Sequence, residues 1–186
     1  GRRLSAGRRA TVRMSMTGFI DLGRLLAVAR APDAPVAWRD GRMLGFAEFV
    51  TRAAHWRTAF RTIDGARIAL FFEDSFEFAA ALFGAWHAGK EPVLAPDVLP
   101  ETLRRLDDSV GACAGEFPAA TSLRRVPRGT AAASLAWSEL DAQRTLLHVF
   151  TSGSTGEPVL ISKRLAQLTP EIEALELGAR IVETSV

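Results

Sequence analysis

The stretch Leu146-Leu147-His148-Val149-Phe150-Thr151-Ser152-Gly153-Ser154-Thr155-Gly156-Glu157-Pro158-Val159-Leu160-Ile161-Ser162 decides how the rest of the chain is read. Leu146–Phe150 is an apolar run of strand length, and Val159–Ser162 reads as a second short strand. Between them lies a segment of glycines and hydroxyl residues. Gly153 and Gly156 allow turns closed to other residues and a close approach of backbone to ligand. Thr151, Ser152, Ser154 and Thr155 add hydroxyl donors, and successive backbone N–H groups in such a turn form a concave anion site. Each hydrogen bond to a charged acceptor contributes roughly 1.5–3 kcal/mol, so a few would hold a triphosphate tail without a cation. A flexible Ser/Gly turn is the plain alternative. The flanking strands, the lack of charge within Thr151–Gly156 and the rigid Pro158 weigh against it. The segment is neither a Walker A loop, which needs a Gly-Lys-Ser/Thr ending, nor a nucleophile elbow with Gly-x-Ser-x-Gly spacing.

Upstream, the apolar pattern alternates between strand and helix. Val36–Arg39, Asp40-Gly41 and Arg42–Leu44 read as a hairpin with a tight turn. Phe46, Phe49, Val50, Ala53, Trp56 and Phe60 share one helical face, which makes Trp56 a core residue rather than a base-stacking platform. Arg67–Phe72 is a continuous apolar strand, as expected of one covered on both faces. A helix over Phe76–Ala88 follows, with Ser75 as its N-cap and Gly89 as a left-handed C-cap. Its small-residue face, Ala79, Ala80 and Gly84, suits close packing on a sheet. Glu91–Leu94 is the next strand, and Pro100 opens a helix whose stripe is Leu99, Leu103, Leu106 and Val110. A short strand near Ala112–Gly115 precedes the decisive stretch. A brief helix near Arg164–Leu168 follows it, with another starting at Thr169-Pro170. Phe19, Leu22, Leu25 and Leu26 suggest a short helix near the front. This rhythm predicts βαβ units: an α/β fold with a mainly parallel sheet and flanking helices.

The composition is that of a folded globular chain: 186 residues, 48% hydrophobic and 24% charged. No apolar run approaches the roughly 18 residues of a membrane span. Cys113 is the single cysteine, so no intrachain disulfide forms and nothing argues for secretion; the expected location is cytoplasmic. Cys113 reads as a small buried hydrophobe. His55, His87 and His148 are scattered, so no metal site is assigned. Arg2, Arg3, Arg8, Arg9 and Arg13 leave 18 other basic residues against 21 acidic ones. Residues 1–17 are therefore expected to be a basic, poorly ordered leader, and no nucleic-acid partner is assigned.

Phe150-Thr151-Ser152-Gly153-Ser154-Thr155-Gly156-Glu157-Pro158 resembles the phosphate-loop signature of the adenylate-forming (AMP-binding) superfamily, which includes acyl- and aryl-CoA synthetases and nonribosomal peptide adenylation domains. Phe46–Phe49, Arg67–Phe72, Asp74–Phe78, Gly84–Gly89 and Leu106–Ser109 are similar, in order, to earlier segments of that family. The resemblance implies that residues 18–186 are the first part of the large N-terminal domain, truncated after the phosphate loop. It implies an ATP-dependent ligase, usually using Mg²⁺, that converts a carboxylic acid to an acyl-adenylate and passes it to coenzyme A or a carrier-protein thiol. Thr151, Ser152, Gly153, Ser154, Thr155 and Gly156 would bind the ATP phosphates. No catalytic residue and no metal ligand can be carried over, because the family's remaining motifs lie downstream, and the isolated chain is expected to be inactive. The alternative is a non-catalytic remnant that binds a nucleotide or a partner weakly. Where the family places Lys or Arg after the proline, this chain has Val159. Lys163 shares that strand face but lies four residues on, roughly 13 Å away.

Overall fold

The computed structural model describes residues 21–130, 136–152 and 158–172. The expected leader, residues 1–17, lies outside them. The first described element is a single 3₁₀ turn (Leu22–Arg24) capped by Asp21, shorter than the helix expected there.

Strands β1 (Pro35–Arg39) and β2 (Arg42–Gly45) form an antiparallel hairpin. Asp40 and Gly41 both have positive φ, 51° and 73°, the signature of the two-residue turn that matches strand twist. Helix α1 (Phe46–Arg61) follows directly and buries Phe49, Ala53, Trp56 and Phe60. Strand β3 (Arg67–Phe71) leads to helix α2 (Ser75–His87). The N-cap of α2 is Asp74, whose carboxylate accepts from the Glu77 amide at 2.7 Å, and the expected cap Ser75 is the first helical residue. A carboxylate reaches that amide and also complements the positive helix end. Gly89 has φ 74° and ends α2 as expected.

Within the small-residue face of α2, Gly84 is set against α1. A Cβ on Gly84 would stand 2.6 Å from the Trp56 Cβ and 2.9 Å from the Ala53 carbonyl, so only glycine lets α1 approach this closely. The Phe49 ring meets Phe76 and Phe83 edge-on, each at 5.8 Å between centroids.

Strand β4 (Glu91–Leu94), helix α3 (Pro100–Asp107) and strand β5 (Ala112–Gly115) come next. Leu106 is buried, but Leu99 is 62% exposed because it precedes the first turn and points away from the expected stripe. Strands β6 (Leu146–Ser152) and β7 (Pro158–Arg164) complete a five-stranded sheet in the order β5-β3-β4-β6-β7. The β3–β4, β3–β5 and β4–β6 pairs are parallel; only β6–β7 is antiparallel. The mainly parallel α/β sheet is the one expected. Residues 124–126 hydrogen-bond along β5, through Cys113 N–H to the Arg124 carbonyl and Val126 N–H to the Cys113 carbonyl, and so shield that edge.

Two cores line the two faces. Ile68 and Leu70 face α1 and α2, while Ala69, Val93 and Cys113 join Leu106 of α3. After β7 one helix runs over 165–172 without a break at Pro170, where two helices were expected. Its start is tied down by Leu165 N–H to the Thr145 carbonyl and Ala166 N–H to the Ala142 carbonyl.

Candidate functional site

The β6–β7 hairpin frames the glycine loop. Ser152 pairs with Pro158 and Thr151 with Val159, so both strands are in register up to the loop's roots. Of the expected phosphate-binding residues, the backbones of Thr151 and Ser152 are placed as the end of β6. Gly153, Ser154, Thr155 and Gly156 lie outside the described residues. Because β6 is parallel to β4, the loop leaves the sheet at its carboxyl edge, where open α/β sheets bind ligands. The last paired residue of β4, Leu94, lies opposite Val149. Phe150, Thr151 and Ser152 therefore carry the hairpin past the end of β4 by about 10 Å.

A polar chain across the sheet fixes this hairpin, and the sequence reading did not find it. His148 sits directly opposite Ser162 and beside Val93, which places Glu91, two residues before Val93, on the same sheet face. The His148 ring, 1% exposed, has Nε2 at 2.8 Å from Glu91 Oε2 and Nδ1 at 2.9 Å from Ser162 Oγ. Arg67 Nε adds a contact to Glu91 at 3.4 Å. An acceptor-only carboxylate at Glu91 places a proton on Nε2, and the ring's Nδ1 then accepts from the Ser162 hydroxyl. Burial pushes the Glu91 carboxyl up, but the bonds to His148 and Arg67 outweigh it and hold the group below the usual carboxylate range. The signal available was strand parity: a lone His in an apolar strand, with polar residues on the same face of both neighbours. Trp86 of α2 adds a second anchor, its indole N–H donating to the Leu146 carbonyl at 2.9 Å.

Val159 is 55% exposed and Ile161 41%, both on the edge strand β7. Lys163 lies opposite Leu147, well down the strand from the loop. Its ammonium donates to both carboxylate oxygens of Glu171, at 2.8 and 2.9 Å, in an exposed ion pair. It does not stand in for a cation beside the loop.

The same carboxyl edge carries a cleft of about 660 Å³ at the ends of β3 and β5. Glu77 projects into it from the first turn of α2, accepting from the Trp56 indole at 2.7 Å and pairing with Arg52. Arg39 pairs with Asp74 at 2.5 Å. Cys113 lines the cleft yet is 1% exposed, and burial pushes its thiol up to about 11, so it is not a nucleophile at neutral pH. Gly115, with φ 109°, lies so close to β3 that a Cβ would meet the Phe71 carbonyl at 1.8 Å. Among the described residues, no cluster of three or more His, Cys, Asp or Glu side chains could hold a metal ion, so no Mg²⁺ ligand is assigned. No described helix is long and apolar enough to cross a membrane.

No protein-family model and no curated protein sequence matches the chain. Solved structures do. The o-succinylbenzoate CoA synthetase MenE of Bacillus subtilis, in complex with the acyl-adenylate intermediate OSB-AMP, superposes with a TM-score of 0.61 at 19% identity, over 75% of this chain and 41% of that one. The N-terminal subdomain of Klebsiella oxytoca NpsA, bound to 3-hydroxybenzoyl-AMSN, gives 0.57 at 18% identity, over 72% of this chain and 37% of that one. The nonribosomal peptide synthetase FmoA3 (S1046A), in its α-methyl-L-serine-AMP bound form, gives 0.60 at 18%, over 76% of this chain and 17% of that one. The chain thus spans less than half the length of each of these proteins. Its described residues have the fold of the N-terminal portion of the adenylate-forming enzymes.

Proposed function

We propose that this chain supplies the ATP-phosphate loop of an adenylate-forming ligase of the acyl- or aryl-CoA synthetase type. The observation that supports this reading best is the hairpin: an in-register β6–β7 pair, projecting from the carboxyl edge of a mainly parallel sheet, with the Gly/Ser/Thr segment at its tip. In that reaction a carboxylate oxygen attacks the α-phosphorus of ATP. The bond to the bridging oxygen breaks and pyrophosphate leaves; a thiol of coenzyme A or a carrier protein later attacks the acyl carbon, loses its proton and releases AMP.

The contribution of these residues is to bind and orient the tail that leaves. Thr151, Ser152, Ser154 and Thr155 hydroxyls and the amides of Gly153 and Gly156 donate to β- and γ-phosphate oxygens, from a segment rooted in the paired backbones of Thr151 and Ser152. Mg²⁺, when bound, would offset phosphate charge; its ligands are not assigned to these residues. MenE is bound in one structure to AMP and in another to the acyl-adenylate OSB-AMP, which supports a nucleotide as the ligand class here.

A second reading is a weak nucleotide-binding module without catalysis, favoured by Val159 in the position that the family resemblance gives to a cation. Both readings give the 186-residue chain millimolar ATP affinity, since a triphosphate held by hydrogen bonds alone lacks a charge partner. Equilibrium dialysis with ATP, beside ATP–pyrophosphate exchange over a panel of fatty and aromatic acids, tests this. Saturable binding that weakens in S154A/T155A, without exchange, is expected. Absence of saturable binding would remove the phosphate-loop reading, and robust exchange would overturn the view that this chain alone does not adenylate.

A further inference from the structure

The cleft at the carboxyl ends of β3 and β5 uses none of residues 151–158, so its role stands apart from the glycine loop. Its charges are unevenly satisfied. Asp74 is committed to Arg39 and to capping α2, and Glu77 to Arg52 and the Trp56 indole. Glu116 accepts from the Glu73 amide at 3.2 Å. Arg128 reaches Glu77 only at 3.6 Å, with its side chain 48% exposed. Arg125 is exposed and its side chain has no hydrogen-bond or ion-pair partner among the described residues.

Two guanidiniums, each with five N–H donors, therefore stand at the mouth with most of their donors unused. Beneath them the wall turns apolar at Phe72, Ala114 and Val126. The volume lies within the range of roughly 300–1,000 Å³ typical of small-molecule sites. The position is also the one such sheets use: the carboxyl ends of two adjacent parallel strands. A cation would meet four arginines against three carboxylates, of which Asp74 and Glu77 are already in ion pairs and Glu116 accepts one amide. An anion meets Arg125, without a side-chain partner among the described residues, and Arg128, only loosely paired with Glu77, each a planar fork suited to carboxylate or phosphate oxygens.

We infer that this cleft is a second ligand site, one that takes a small organic anion: a carboxylate or phosphate gripped by Arg125 and Arg128, with an apolar body lying against Phe72 and Val126. The site has a built-in reporter. The Trp56 indole N–H is bonded to Glu77, the same carboxylate Arg128 approaches, so drawing Arg128 onto a ligand changes the field at that indole.

The test is titration of the 186-residue chain with 2-naphthoate, 2-naphthyl phosphate and neutral 2-naphthamide, following the Trp56 indole ¹H–¹⁵N resonance. At least one anion is expected to bind saturably and about tenfold or more tighter than the amide. The affinity is expected to fall by about tenfold or more in R125A/R128A and to stay unchanged in the loop variant S154A/T155A. Both arginines are exposed, so R125A/R128A keeps the wild-type unfolding midpoint, which the same samples report. Equal affinity for the amide and both anions, no saturable shift with any probe, or unchanged anion affinity in R125A/R128A would each overturn the inference. A failure confined to ATP binding would touch the glycine loop alone.

Discussion

Replacing His148 removes the centre of the polar chain that holds the loop-bearing hairpin, and the structure sets the size of the effect. The bond to Glu91 is charge-assisted, but Glu91 has a side-chain exposure of 32% and keeps Arg67, so water recovers part of the loss. That bond is worth about 1.5 kcal/mol, at the lower end for charged partners. The bond to Ser162, an exposed hydroxyl, adds about 0.5 kcal/mol. Deleting a nearly fully buried ring also leaves a cavity worth roughly 2 kcal/mol or more. H148A is thus expected to cost about 4 kcal/mol, a large share of the roughly 5–15 kcal/mol that keeps a domain folded. Urea unfolding followed by tryptophan fluorescence measures it. The sharper version is the cycle H148A, E91A and H148A/E91A, where a coupling of about 1–2 kcal/mol is expected. Additivity within about 0.5 kcal/mol would refute the bond as an energetic unit. The pH dependence has a definite sign. Glu91 is held below its ordinary value near 4.5, so its contribution is fully present above that pH and is lost as pH falls through the lower folded value. E91Q is expected to flatten that acid limb, and an unaltered limb would contradict the assignment.

Gly84→Leu forces a side chain into the 2.6 Å gap beside Trp56 and is expected to cost about 1–3 kcal/mol or more in urea unfolding; a neutral effect would mean the α1–α2 contact is looser than described. Asp74→Ala removes the cap of α2 and the partner of Arg39, with an expected loss of about 1–2 kcal/mol; recovery in Asp74→Asn of the cap share alone would separate the two roles. Cys113 is expected to react with a thiol reagent at pH 7–8 only at the rate of global or local unfolding, because its thiol is buried and raised to about 11; rapid labelling of the native protein would contradict this.

Much of this architecture was legible in the chain because local and global signals agree. Asp40-Gly41 between alternating strands can hardly be anything but a hairpin turn, and Gly89 and Pro100 mark a helix end and a helix start by their own backbone limits. The misses have tertiary causes. Leu99 fits the stripe of α3 by spacing, but it stands before the first turn and faces solvent. Gly84 names a close contact without naming the partner, which is α1. Pro170 sits within a helix whose first turn is pinned to residues 142–145, so tertiary bonds override a local breaker. The site was legible as chemistry at Thr151–Gly156, but its support was not. His148, Glu91 and Ser162 are 57 and 14 residues apart in the pairs that matter, and only the strand order brings them into line.

The central claim is that the segment at the tip of the β6–β7 hairpin binds the polyphosphate of a nucleotide. The most direct measurement is titration of the ¹⁵N-labelled chain with tripolyphosphate, following the amide resonances of Gly153 and Gly156. Saturable shifts concentrated on those two glycines and on Ser152–Thr155, weakened about tenfold in S154A/T155A, are the expected result. Shifts absent from these amides at saturation, or spread over the arginine cleft instead, would contradict it.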